Sequence, residues 1–319
     1  MITINAATIE QGFSQSEMTT WDECSERWYR QYNERLRLPG TVAWPLVYGT
    51  AVHATLESYY KTGVVPTEFA SLQIPSDVIM TADDEIEQEY WNAVLQVQMR
   101  RYFAYYNDDF QNLSVIPEMT EQVLETVFDG IKLRGKIDLG HRPKKGIVAQ
   151  MDHKTSGRWS PDILNGWYFK FQFMFYPWLA QRATGIKVNE FTVNAIIKPS
   201  IRVKKDESLG AFAARLEGDM IQDPTKYFKR VYLPISKGFF ERFETEILQP
   251  KLNRIKALTS PTQSAILPSL VRNLNTNHCV RIGLGSCPYL PLCTHGEAER
   301  FRYRVKPIKH EELDGGSMD

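Results

Sequence analysis

Residues 135–156 read GKIDLGHRPKKGIVAQMDHKTS. Asp138 closes one alternating segment, and Asp152 closes a second after the apolar run IVAQM. Between them HRPKKG carries Pro143 and Gly146, so the stretch predicts two neighbouring strands joined by a loop. Side chains alternate along a strand, which puts Asp152 and Lys154 on the same face. Two carboxylates brought together bind a hard divalent cation through oxygen. A lysine beside them can orient or deprotonate a water and neutralise developing charge, as phosphodiester hydrolysis requires. Spacing alone also fits an ordinary charged surface hairpin. The apolar run favours the first reading, because a carboxylate ending a buried strand is costly unless a cation pairs with it.

Outward from this stretch, residues 121–139 alternate about a turn at Asp129–Gly130, and 147–155, 187–198 and 227–236 read as further strands. Helical spacing marks 14–35, with Ser16 or Thr19 as cap, and 48–62, with Val52, Leu56 and Tyr59 on one face. It also marks 81–109, 162–183 and 236–258. Pro177 predicts a kink or break in the fourth of these, and Gly185 ends it. Residues 201–226 read as polar and basic, with no element assigned, and the chain after 306 as a frayed, flexible tail.

The composition bounds what such a chain can be. Its 319 residues are 43% hydrophobic and 12% aromatic, enough for a large core and incompatible with disorder. No run approaches the ~18 apolar residues of a membrane span, and MITINAATIEQGFSQ lacks the marks of a signal peptide, so a cytoplasmic protein is expected. Lys plus Arg and Asp plus Glu both total 38, which argues against coating nucleic acid by bulk charge but leaves local basic patches open. Without a repeat, a low-complexity tract or a linker, residues 1–319 read as one α/β unit wrapped by helices.

GKIDLG and IVAQMDHKTS resemble the second and third motifs of the PD-(D/E)XK nucleases, in their RecB-type exonuclease branch. YGTAVHATLE resembles the first motif, G-x-x-x-H-x-x-L-E, and FQFMFYPWLA the Q-x-x-x-Y motif. MTTWDECSERWYRQY resembles the N-terminal signature of the branch members that carry an iron–sulfur cluster, with Ser25 where proline is usual. These segments follow the family's order from about residue 14 to 295. The resemblance implies a restriction-endonuclease-like α/β core, a small mixed sheet flanked by helices. It implies Mg²⁺ or Mn²⁺ held by Asp138, Asp152, His53 and the backbone carbonyl of His153, with Lys154 positioning the attacking water. Gln172 and Tyr176, one helical turn apart, would hold DNA or brace the site, while Glu57 reads as a supporting or salt-bridged residue. The implied activity is hydrolysis of DNA, at single strands or ends, in recombination, repair or CRISPR adaptation, with a viral source as one reading. No G-x-x-x-x-G-K-[ST] motif is present, so a helicase would be a partner rather than part of this chain. The competing readings are a DNA-binding scaffold with a decayed site and a zinc-stabilised hydrolase of another substrate, RNA included.

Four cysteines stand out: Cys24 near the start, and Cys279, Cys287 and Cys293 within fifteen residues near the end. Clustered thiols in a reducing compartment suit a metal better than disulfides. Four thiolates are enough for one iron–sulfur cluster or one tetrahedral zinc, and buried thiols without a metal are the third reading. The resemblance implies a 4Fe–4S cluster tying the N- and C-terminal helical parts together, with His278 as a substitute ligand, since the step from Cys279 to Cys287 is longer than the family's.

Phosphate contacts are expected from Lys132, Arg134 and Lys136, from Arg142, Lys144 and Lys145, and from Lys198, Arg202, Lys204, Lys205, Lys226, Lys229 and Arg230. A stacking platform for single strands could come from Trp159, Trp167, Tyr168, Phe169 and Phe171, although most of these read as core.

Overall fold

The computed structural model describes residues 6–40, 42–74, 78, 80–143, 146–159, 166, 170–259, 275–281, 285–310 and 313–314. The strands of its two larger sheets are β1 (Phe13–Ser14), β2 (Gln122–Phe128), β3 (Ile131–Ile137), β4 (Leu139–His141), β5 (Ala149–Ser156), β6 (Glu190–Ile197) and β7 (Phe228–Pro234). Its longer helices are α1 (Gln15–Glu23), α2 (Trp44–Thr62), α3 (Ala82–Tyr105), α4 (Phe171–Thr184), α5 (Leu209–Gln222) and α6 (Gln249–Thr259). Two sheets organise the strands, in the orders β1-β3-β2 and β4-β5-β6-β7. Both are mixed: β1 runs parallel to β3 and β5 parallel to β6, while the other pairs are antiparallel.

The extended run from Ile131 to His141 changes partners at Asp138. Before it, Ile137 pairs with Gln122 of the hairpin; after it, Leu139 pairs with Met151 of β5. The expected turn closes that hairpin, with Asp129 and Gly130 both at positive φ, as a two-residue turn matched to strand twist requires.

β6 is buried along nearly its whole length, which explains its apolar sequence. Leu139, Met151 and Ile196 pack with Tyr48, Val52 and Leu56 of α2, Leu95 and Met99 of α3, and Leu216 of α5. Leu133 packs with Phe175, Trp178 and Leu179 of α4 and with Leu252 of α6. No helix among the described residues is long and apolar enough to cross a membrane.

Several elements differ from the sequence reading. The first expected helix breaks at Cys24, whose φ of −164° and ψ of 112° are extended, and Ser14 rather than Ser16 or Thr19 caps it. Helix α4 runs through Pro177 without interruption; Phe173, Phe175 and Trp178 around the proline are buried, and that packing outweighs one lost backbone hydrogen bond. The start expected for this helix, 162–169, lies almost wholly outside the described residues. Within the stretch given no element lies α5, capped by Ser208 and burying Phe212, Leu216 and Met220 at four-residue steps.

The tail after 306 is also corrected where it is described. Lys309 and His310 are buried, and Lys309 Nζ donates to the carbonyls of Thr8 (2.7 Å) and Gly12 (2.9 Å). Glu17, itself buried, receives Lys309 at 2.8 Å and faces His310 Nε2 at 3.0 Å. The segment is fixed because a buried carboxylate needs a cation and hydrogen-bond partners: Lys309 supplies the charge, and the His310 ring lies at hydrogen-bond distance.

Candidate active site

The change of sheets at Asp138 creates the site. A carboxylate at that bend lies beside β5, and its Oδ2 accepts the His153 backbone N–H at 2.8 Å. On β5 the pleat puts Asp152 and Lys154 on one face, with Lys154 Nζ 2.9 Å from Asp152 Oδ2. Helix α2 brings in His53, whose Nδ1 lies 3.6 Å from Asp138 Oδ2. Gly49 one turn earlier permits this approach: a Cβ there would come within 3.0 Å of Thr155 Oγ1 on β5. Gln172, in the first turn of α4, donates to Asp152 Oδ1 at 3.1 Å. Tyr176 packs on Gly135, where a Cβ would lie 2.7 Å from its ring, so the glycine of GKID is the surface that receives this tyrosine. Thus the structure brings His53, Asp138, Asp152, Lys154 and Gln172 together, with Tyr176 against the strand beneath.

Burial and charge set opposite biases on the two carboxylates. Burial disfavours ionised Asp138, but His53, then His153 and Lys154, hold it well below the usual carboxylate range. Asp152 is raised, by burial and by the charge of Asp138, against the pull of Lys154. His53 is raised: burial opposes its charged form and Asp138 outweighs burial. For Lys154, burial is likewise outweighed by Asp152 and Asp138, and the ammonium is favoured.

The His153 side chain turns away from the carboxylates into a buried polar chain. Its ring stacks on Tyr60, centroids 5.5 Å apart, and Nδ1 lies 2.8 Å from Asn194 Nδ2. Burial keeps it neutral, with a pKa of about 3. Asn194 continues to the Tyr102 hydroxyl at 2.9 Å, which accepts from Arg230 at 3.0 Å, and Arg230 is paired with Asp109.

Two residues here escaped the sequence reading. Glu121 has a side chain only 3% exposed and holds Lys136 at 2.8 Å; burial, then the charge of Asp138, pushes it up to about 8. Its φ of 51° and its N–H bond to the Asp138 carbonyl, 3.1 Å, tie it to the bend. Asn194 interrupts the mostly apolar run from Val193 to Ile197, and that interruption was the available signal. Glu57 is salt-bridged as expected, between Lys61 (2.5 Å) and Lys136 (3.1 Å).

Much of the expected basic surface is already paired. Lys132 and Arg134 share Glu125, Arg134 also holds Asp314, Lys226 holds Asp219, and Arg230 is buried. Arg202 donates to the Tyr90 hydroxyl. Phe171 belongs to a core cluster rather than a stacking surface. Lys144, Lys145, Trp167, Tyr168 and Phe169 lie outside the described residues.

The donors present fit a hard cation. Asp152 Oδ2 is buried and satisfied by no hydrogen bond, its charged neighbour being Lys154, and Asp138 lies alongside. Among the described residues, however, no three His, Cys, Asp or Glu side chains are drawn tightly enough to hold a metal as they stand. The same holds for the cysteines. No disulfide joins them, yet the fold carries Cys24 to the C-terminal three: burial, then Glu26 and the other three sulfurs, pushes Cys293 up to about 11. The Cys287 N–H donates to the Cys279 carbonyl at 2.8 Å.

A family model of the PD-(D/E)XK nuclease superfamily matches residues 12–294. The chain belongs to the PD-(D/E)XK nuclease superfamily. That span includes Cys24, His53, Asp138, Asp152, Lys154, Gln172 and the C-terminal cysteines. Among solved structures, the chain is similar to one from Eubacterium rectale provisionally described as an exonuclease, at 13% identity and a TM-score of 0.41, covering 99% of this chain and 100% of that one. No curated protein matches.

Proposed function

We propose that this PD-(D/E)XK protein is a divalent-metal-dependent deoxyribonuclease, acting as an exonuclease on single strands or DNA ends. The observation that supports the reading is the meeting of Asp138, Asp152 and Lys154 at the bend where one strand passes between two sheets. Asp138, Asp152, His53 and the His153 carbonyl would hold Mg²⁺ or Mn²⁺, which supplies Lewis-acid polarisation of the scissile phosphate. Lys154 orients the attacking water and counters charge on the phosphate as the P–O bond breaks. The His153 N–H fixes Asp138, and Gln172 fixes the rotamer of Asp152. Tyr176 holds α4 against Gly135 and so sets where Gln172 sits.

The four cysteines would hold a structural 4Fe–4S cluster or, second, zinc. The reading is supported by the meeting of Cys24 with the C-terminal thiols. Iron content and broad visible absorption are expected in protein purified without oxygen. A colourless zinc protein selects the second occupant, and a metal-free folded protein removes both.

The test of the nuclease is hydrolysis of labelled single-stranded DNA with Mn²⁺ or Mg²⁺. Asp152→Ala and Lys154→Ala should each lower the rate by about 10²–10⁴-fold, the range for positioned proton-transfer and electrostatic groups. Undiminished activity in both variants would remove the assignment. Inactivity of the wild type with every metal would favour a scaffold with a decayed site.

A further inference from the structure

Strand β5 does not end at the site. It runs on to Ser156, and the chain then turns at Arg158, where a tight turn is held by Ser156: its Oγ donates to the Arg158 carbonyl at 2.6 Å and accepts the Arg158 N–H at 3.3 Å. This turn forms one wall of a cleft of about 710 Å³ that also takes in Trp159, Lys198 just after β6, Tyr227 just before β7 and Lys229 on β7. The cations in it differ from those on the hairpin. Among the described residues, no carboxylate forms an ion pair with Arg158, Lys198 or Lys229, whereas Lys226 on the rim is held by Asp219 at 2.7 Å. Lys198 is half-buried, and its hydrogen bond is a long one, 3.4 Å to the Pro45 carbonyl. Burial lowers its pKa, so the cleft bears the cost of an uncompensated ammonium. Trp159 packs beside Phe173, Phe191 and Val193, with Lys229 Nζ 5.9 Å from its ring centroid.

We infer that this cleft is a subsite for single-stranded nucleic acid, with phosphates on Lys198, Arg158 and Lys229 and a base stacked on Trp159. The inference rests on the nuclease reading of the neighbouring carboxylates and specifies which substrate they receive. Among the described residues, three cations without an ion-paired carboxylate, set against one lining carboxylate, Asp223, and beside one anchored aromatic ring, suit a polyanion whose bases are free to stack. The bases of a duplex are already stacked on one another and cannot use Trp159.

The test measures binding and hydrolysis separately. A fluorescein-labelled oligothymidylate is titrated in EDTA by anisotropy at several salt concentrations, and its hydrolysis is followed with Mn²⁺. Trp159→Ala should weaken binding about ten-fold, within the range for one base–aromatic stack, and Trp159→Phe should restore it. Lys198→Ala should lower the magnitude of the salt slope by about 1, whatever the base sequence. Unlabelled duplex should compete poorly. Unchanged affinity in Trp159→Ala with an unchanged salt slope in Lys198→Ala, at wild-type melting temperature, would overturn the subsite. So would duplex competing as well as single strand. Binding that behaves as expected without hydrolysis by the wild type would instead remove the nuclease reading and leave the subsite standing.

Discussion

Gly135 and His141 show how much a single buried position can fix. Gly135 receives the Tyr176 ring, and an added methyl would also press within 3.0 Å of Leu179. Gly135→Ala should cost about 1–3 kcal/mol in urea unfolding, the range for overpacking, and a neutral result would show that α4 moves freely over β3. His141 is 1% exposed, and neither ring nitrogen has a hydrogen-bond partner among the described residues. Burial, then Arg230, holds it at about 4, below its ordinary 6.5. Between those values the unfolded chain binds a proton that the folded one refuses. Stability is therefore full above about pH 6.5 and falls as pH drops towards 4, by up to about 3 kcal/mol from this residue. His141→Phe should flatten that part of the stability profile; an unchanged slope would rule the group out.

At the scale of elements, sequence pattern worked where one rule acted alone. The Asp129–Gly130 hairpin and the buried β6 follow from turn chemistry and β-branched content. Elements were missed or misjudged where tertiary packing opposed a local rule. Helix α5 has Phe212, Leu216 and Met220 on one face, but the basic residues before it masked that period. Met220→Ala or Leu216→Ala should cost about 2–5 kcal/mol, because both side chains are fully buried against the α2–α3 layer. The tail was misjudged for a similar reason: IKHEELDGG is mostly polar, and its partners, the buried Glu17 and the carbonyls of Thr8 and Gly12, lie some three hundred residues away. Lys309→Met should cost about 3–5 kcal/mol by leaving Glu17 without its ammonium, and a cost below about 1 kcal/mol would show the latch to be incidental.

Across the whole molecule, the two ends meet by more than the cysteines. Residues Arg304–Val305 pair with Leu36–Arg37, the Tyr289 hydroxyl donates to the Leu36 carbonyl at 2.6 Å, and buried Arg30 holds Glu297 at 2.8 Å. Closure therefore has protein contacts of its own beside the proposed metal. Cys24→Ser should accordingly remove the metal signal from the purified chain while retaining most far-UV circular dichroism. Global unfolding of that variant would show that the thiol site, rather than the latch, holds the ends.

What the sequence by itself determined was which residues meet at the bend: Asp138, Asp152 and Lys154 are legible because strand alternation and a short loop constrain them locally, and His53 and Gln172 because motif spacing marks them. Tertiary structure alone decided which charges were available. Lys136, Arg134 and Arg230 read as equivalent to Lys198, yet three are neutralised by carboxylates brought from other elements and one is left facing a cleft. It also decided that Glu121 and Asn194 stand behind the site, and that the two ends of the chain share a buried ionic core. The reason is physical: alternation and turns are set by neighbours along the chain, whereas the pairing of a charge depends on residues of other elements, from nine to nearly three hundred positions away, which only packing brings within reach.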